Sequence, residues 1–154
     1  MCDYSLMMAP NRLAVEGEEL VAHKFKCGST GIVASRDFNN WARREPRTFR
    51  QWFRDGFSPV PEPTPVVCLP PGARLQLLGV PENLRAEVAP DLSEEVVFTQ
   101  ISAEANQHRD ALFFANGFTV LLQRLPEGQR LRVLSLSSED WAGERPQPEI
   151  VFAG

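Results

Sequence analysis

Lysine is nearly missing from this chain. Lys24 and Lys26 are the only two, so 14 of the 16 basic side chains are arginines. Arginine forks around carboxylates and phosphates, but its placement decides more than its number. Positive charge is in deficit overall, with 16 basic residues against 20 acidic ones and a net charge of −4. Such a balance gives no global attraction to phosphate backbones or anionic lipid, which leaves nucleic-acid binding to a local patch. Cysteine is scarce as well. Cys2, Cys27 and Cys68 are an odd number with no CxxC spacing, against a disulfide framework and against a zinc knuckle. The longest apolar runs fall far short of the ~20 residues of a membrane span. The opening Met1-Cys2-Asp3-Tyr4 carries an acid where a secretion signal carries basic residues, and no apolar stretch comes after it. The expectation is a protein of the reducing cytoplasm, with no membrane partner.

What is present reads as one folded domain over residues 1–154. The chain is 43% hydrophobic and 23% charged, ordinary for a globule that buries a core. Strand signals dominate. Ala111–Phe114 and Phe118–Leu122 are aromatic or branched runs separated by Ala115-Asn116-Gly117, whose Asn-Gly pair supplies the positive φ of a tight hairpin. Glu95–Ile101 is β-branched and aromatic. In Leu20–Phe25, alternation puts Val21, His23 and Phe25 on one face and turns Lys24 and Lys26 away.

A short repeat accompanies these strands. Leu69-Pro70-Pro71-Gly72-Ala73-Arg74-Leu75 and Leu125-Pro126-Glu127-Gly128-Gln129-Arg130-Leu131 share the pattern Leu-Pro-x-Gly-x-Arg-Leu. Both copies then alternate, with Leu75 and Leu77 matching Leu131 and Val133 inward, Gln76 and Arg132 outward. Proline presets φ at the second turn position and glycine tolerates the conformation after it, so each copy predicts strand, turn, strand. The fold class expected is mainly β, a small antiparallel barrel or sandwich.

A helical excursion interrupts it at about 35–65. Asp37–Arg44 and Pro46–Asp55 predict two short helices, the second opened by Pro46 and capped by Gly56. Phe49, Trp52 and Phe53 share one face of that helix and Arg47, Arg50 and Arg54 the other. The alternating prolines of 58–65 then favour an extended connector. The segment is too short to bury its own core. In the tail, Ile150-Val151-Phe152 could add only an edge strand, since Pro146 and Pro148 flank it.

Four groupings could carry chemistry. Loss of Met1 would leave Cys2 with an α-amine beside its own thiol, the arrangement of N-terminal nucleophiles; the glycine that succeeds cysteine in such starts is Asp3 here. His108 and Asp110 alternate just before the hairpin, so with Cys2 or Cys68 nearby they would complete a thiol triad, or instead a three-ligand zinc site. From Arg36 to Arg54, Arg36, Arg43, Arg44, Arg47, Arg50 and Arg54 interleave with Phe38, Trp41, Phe49, Trp52 and Phe53, the mix that binds single-stranded nucleic acid; at helical spacing the aromatics more readily dock the helix on the β-domain. The Pro-x-Gly corners resemble those of cupins, but the metal-binding histidine positions of that family hold Leu75 and Leu131, so a metal-dependent cupin is disfavoured. Cys27-Gly28-Ser29-Thr30-Gly31 lacks the lysine and spaced glycines of a phosphate loop and reads as a turn. His23 reads as a core histidine whose nitrogens the backbone satisfies.

Met1-Cys2-Asp3-Tyr4-Ser5-Leu6, with Val66-Val67-Cys68-Leu69-Pro70-Pro71-Gly72 and His108-Arg109-Asp110-Ala111-Leu112, resembles a family of small bacterial proteins that open Met-Cys-Asp-Tyr-Ser and have no established activity. The resemblance covers about two-thirds of the chain. It implies a bacterial origin and supplies no mechanism. The Arg/Trp excursion departs from that family's pattern.

The functional expectation is a non-catalytic β module that binds a small molecule or a protein, with no cofactor and no metal. Its rivals are a thiol-dependent hydrolase or transferase using Cys2 or Cys68 with His108 and Asp110, and a single-strand nucleic-acid binder using Trp41, Arg47, Arg50, Trp52 and Arg54.

Overall fold

Strands form where the sequence alternates. The computed structural model describes residues 10–42, 65–80, 82–86, 93–101, 108–137 and 139. Along the chain these give β1 (Asn11–Leu13), β2 (Glu19–Lys24), β3 (Thr30–Ala34), helix α1 (Ser35–Ala42), β4 (Val66–Cys68) and β5 (Arg74–Leu78). A four-residue helix α2 (Glu82–Arg85) comes next, then β6 (Ser93–Gln100), β7 (Asp110–Phe114), β8 (Thr119–Leu121), a 3-10 turn over Leu122–Arg124, and β9 (Arg130–Ser135). The nine strands among the described residues belong to one sheet in the order β1-β4-β3-β2-β9-β5-β6-β7-β8. The fold is mainly β, as expected, and sandwich-like. Two particulars differ from the expectation. Among the described residues the sheet is not closed into a barrel, since β1 and β8 are its two edges, and it is mixed, because β1 runs parallel to β4.

The sheet buries one face in a single large core. Leu20 and Ala22 of β2, Ile32 and Ala34 of β3, Val67 of β4, Leu75 and Leu77 of β5, Val96 and Phe98 of β6, Leu112 and Phe114 of β7, Val120 of β8, and Leu131 and Val133 of β9 all point into it. Inward residues recur at every second position, the period of a strand. A smaller cluster forms on the opposite face of β2, β3 and β4, from Val21, Phe25, Val33 and Val66, with the half-buried Phe38 of α1 laid against it. The helix therefore covers the outer face that the first strands would otherwise expose. It occupies Ser35–Ala42, two residues ahead of the expected Asp37–Arg44. The expected second helix, the proline connector and the tail strand lie outside the described residues.

Both signalled turn types are present. In the β7–β8 hairpin, Ala111 pairs with Leu121, Leu112 with Val120 and Phe113 with Thr119. The Gly117 N–H donates to the Phe114 carbonyl at 3.0 Å, and the Phe114 N–H to the Phe118 carbonyl at 2.8 Å. Gly117 has φ of 92°, the left-handed residue that ends a three-residue hairpin loop. Residues 25–29 make the same turn, with Gly28 N–H to the Phe25 carbonyl and Phe25 N–H to the Ser29 carbonyl, so the glycine-serine stretch is a hairpin turn.

The two Leu-Pro-x-Gly corners superpose in their hydrogen bonds. Ala73 N–H closes onto the Pro70 carbonyl and Gln129 N–H onto the Pro126 carbonyl, both at 3.1 Å. Gly72 and Gly128 sit at φ of 94° and 86°. The shared proline thus occupies the first turn position and not the second. The second belongs to Pro71 in one corner and Glu127 in the other.

Candidate functional site

The outer face of β2 carries the most unusual polar arrangement among the described residues. Alternation that sends Leu20 and Ala22 into the main core sends Val21 and His23 outward. Directly across the ladder from His23 stands Gly31, which has no side chain and leaves the imidazole room beside the neighbouring strand. Phe25 meets the His23 ring edge to face at a centroid distance of 4.8 Å, and Phe38 from α1 meets it at 5.8 Å with planes 65° apart. T-shaped contacts of this kind are favoured by the charge distribution of the rings.

A carboxylate completes the group. Glu127 stands at the second position of its corner, and its Oε1 lies 3.0 Å from His23 Nδ1. The His23 side chain is 8% exposed and that of Glu127 52%, so a solvated carboxylate reaches down to a buried ring. A hydrogen bond at Nδ1 fixes ring orientation and, in the neutral form, the tautomer. His23 was expected to look to the backbone for its partner; at Nδ1 the partner is a side chain from a distant turn. The turn itself is locked, with Gly128 N–H on the Ala22 carbonyl and Ala22 N–H on the Gln129 carbonyl, at 2.9 and 2.8 Å. Gln129 is buried and its amide donates to the Leu78 and Arg130 carbonyls. Glu127 therefore stands on a turn held to β2 on one side and tied to the end of β5 on the other.

Cys68 and His108, two of the residues singled out for thiol chemistry, adjoin different strands of the sheet. Cys68 ends β4 beside the edge strand β1, whereas His108 leads into β7 beside the opposite edge strand β8. Cys68 is disulfide-bonded, so its sulfur is not a thiolate in this state. Cys27, exposed in the β2–β3 turn, is a free thiol. His108 is exposed, while Asp110 is buried at the start of β7 and accepts a hydrogen bond from the Gln100 amide at 3.0 Å. Cys2 lies outside the described residues. Trp41 belongs to α1, and Arg47, Arg50, Trp52 and Arg54 lie outside the described residues.

Among the described residues no group of three or more His, Cys, Asp and Glu is placed to hold a metal ion. No described helix is long and apolar enough to cross a membrane. Glu127 escaped the sequence reading as a functional candidate. Its one signal was its place in the repeat, where a carboxylate replaces the Pro71 of the first corner. Compared with known proteins, the chain matches no family model, no curated protein and no solved structure.

Proposed function

We propose that this chain is a non-catalytic binding module whose recognition surface centres on the exposed Glu127 carboxylate, oriented by the buried His23 of β2 beneath it, at the base of the segment joining β3 to β4. The partner is a small molecule or a protein. The observation that supports this is the aromatic-flanked His23–Glu127 pair beneath α1: an oriented polar group on a rigid sheet, next to a connection long enough to carry recognition residues. Rigid scaffolds that present loop-borne residues are the usual way to build a binding site. The cytoplasm remains the setting we propose; there the disulfide at Cys68 would be one that forms and opens in use, as cytosolic disulfides generally do.

Thermal-shift titration against metabolite mixtures and fractionated bacterial extract tests the proposal. It expects a concentration-dependent rise in melting temperature, since a ligand that binds only the folded state stabilises by mass action. Turnover of any component would overturn it. A fluorescent single-stranded dT20 oligonucleotide in the same assay separates off the nucleic-acid reading by Arg47, Arg50 and Arg54, which requires salt-dependent binding. Iodoacetamide reactivity against pH separates off the thiol-enzyme reading of Cys2 or Cys68 with His108, which requires a thiol that reacts well below its ordinary range.

A further inference from the structure

We propose that the strands β2-β3-β4-β5 and β6-β7-β8-β9 are two copies of one four-stranded unit that exchange their last strands about a pseudo-two-fold axis between Gln76 and Arg132, and that the His23–Glu127 pair, made between β2 of the first copy and the corner of the second, was added at only one of the two symmetry-related junctions. Strand order carries the first half. Leaving out β1, the sheet reads β4-β3-β2-β9 and then β5-β6-β7-β8, the same sequence of roles outward from the centre in both directions.

Register supports the match residue by residue. β9 lies on β2 through Glu19 opposite Arg132, Leu20 opposite Leu131 and Val21 opposite Arg130. β5 lies on β6 through Glu95 opposite Gln76, Val96 opposite Leu75 and Val97 opposite Arg74. Each triplet maps onto the other. At the centre, Leu75 faces Val133, Gln76 faces Arg132 and Leu77 faces Leu131, pairs that a two-fold rotation turns into one another. One irregularity, a register shift between Arg74 and Leu75, breaks the symmetry at the end of this ladder.

Details that have no reason to recur also recur. Arg74 binds Glu95 at 2.7 Å and Arg130 binds Glu19 at 2.5 Å, matched residues in matched ion pairs. Gly72 N–H donates to the Phe98 carbonyl and Phe98 N–H to Ala73, just as Gly128 donates to Ala22 and Ala22 to Gln129. β3 and β7 are buried at every position. Beyond the last strands, Val80 and Leu136 both pack on the main core. The units differ in their connections. Leu122–Arg124 inserts a 3-10 turn between β8 and the second corner, and the three-residue turn Ala115-Asn116-Gly117 of the second unit stands where the first has everything between Ala34 and Val66.

The copies also differ in chemistry at one matched pair of positions. His23 and Glu127 correspond to Thr99 and Pro71. The junction of β6 with the first corner builds the same ladder and turn without the pair, so the scaffold does not require it; this part rests on the binding reading, and the rest does not.

Two experiments on the full chain test the inference. In the first, Glu127→Pro is placed in a His23→Thr background. Proline at the second position of a turn with glycine third restricts the unfolded chain at no cost to the fold, so Tm should rise by roughly 1–4 °C over His23→Thr alone. The reciprocal Pro71→Glu should lower it. A fall in the former or no loss in the latter overturns the equivalence. In the second, a protease site inserted within residues 87–92, between the two units, is cut in the folded protein. The halves should stay in one 1:1 particle and melt in one transition, because each lends the other its closing strand. Native separation of the halves overturns the exchange. Ligand response is not read in either experiment, so failure here leaves the binding reading intact.

Discussion

The side-chain amide of Gln123 grips the backbone of Thr30 from both sides. Its Oε1 accepts from the Thr30 N–H at 2.9 Å, and its Nε2 donates to the Thr30 carbonyl at 3.3 Å. Thr30 begins β3, near one edge of the sheet, and Gln123 lies just after β8, the opposite edge. One side chain thus stands in for a missing strand pairing and holds the curled sheet together across its open side. Replacing Gln123 with alanine would leave a buried N–H and carbonyl without these partners, a cost of about 1–3 kcal/mol, readable as a lower urea midpoint with unchanged m value. Gln123→Glu keeps the acceptor, loses the donor and sets a charged oxygen beside a carbonyl. It should be worse than alanine at pH 7 and recover below about pH 4, where the carboxyl regains a proton to donate.

Glycine at the hairpin tip should matter through conformation and not through space. A Cβ on Gly117 would meet nothing within 4 Å, while its φ is +92°. Gly117→Ala should therefore cost about 1–2 kcal/mol from backbone strain alone. Gly117→Asn should recover part of this, since asparagine tolerates that region better. Chemical denaturation of the two variants checks the order.

Acid should loosen the approach to β2. The Arg12 guanidinium grips both carboxylate oxygens of Glu18, whose Oε2 also accepts from the Val15 N–H at 3.2 Å. The hydrogen bond from Arg12 holds the Glu18 carboxyl below its ordinary range, with burial opposing and Val15 assisting. A carboxylate depressed in the folded state stabilises above its unfolded pKa of about 4.3 and loses that contribution as pH falls through the lower folded value. The pair is partly solvated, so the contribution is about 1 kcal/mol or less. Stability of the wild type should fall more steeply below about pH 4 than that of Arg12→Ala, as pH-dependent melting would show.

Thiol labelling should separate two of the cysteines. Cys27 is free and exposed, and Cys68 is disulfide-bonded. Without reductant, iodoacetamide should modify Cys27 and spare Cys68; after reduction, peptide mass spectrometry should find both labelled.

Much of the fold was legible because its strands alternate cleanly and its turns carry their own chemistry. Asn116-Gly117 and the paired Leu-Pro-x-Gly corners each specify a local conformation, so those elements could be placed from a few residues. The parallel pairing of β1 with β4 and the open sheet were not legible. Both depend on contacts between residues far apart in the chain, and a three-residue strand such as Asn11–Leu13 carries too little pattern to announce a partner. The site was half visible. Val21, His23 and Phe25 were placed on one face by alternation alone, but Glu127 is remote in sequence and read as a turn residue. Cys68 and His108 drew attention by residue type, which says nothing about where the strands carry them.

The most direct measurement is an NMR titration of the stabilising ligand that follows the His23 imidazole and the Phe25 and Phe38 rings. A binding surface at the base of the β3–β4 segment predicts that these resonances shift with the ligand and saturate together, while His108 stays still and no product signal grows. Shifts centred on His108 or Cys68 with the His23 ring unmoved, or new signals from a converted ligand, would contradict it.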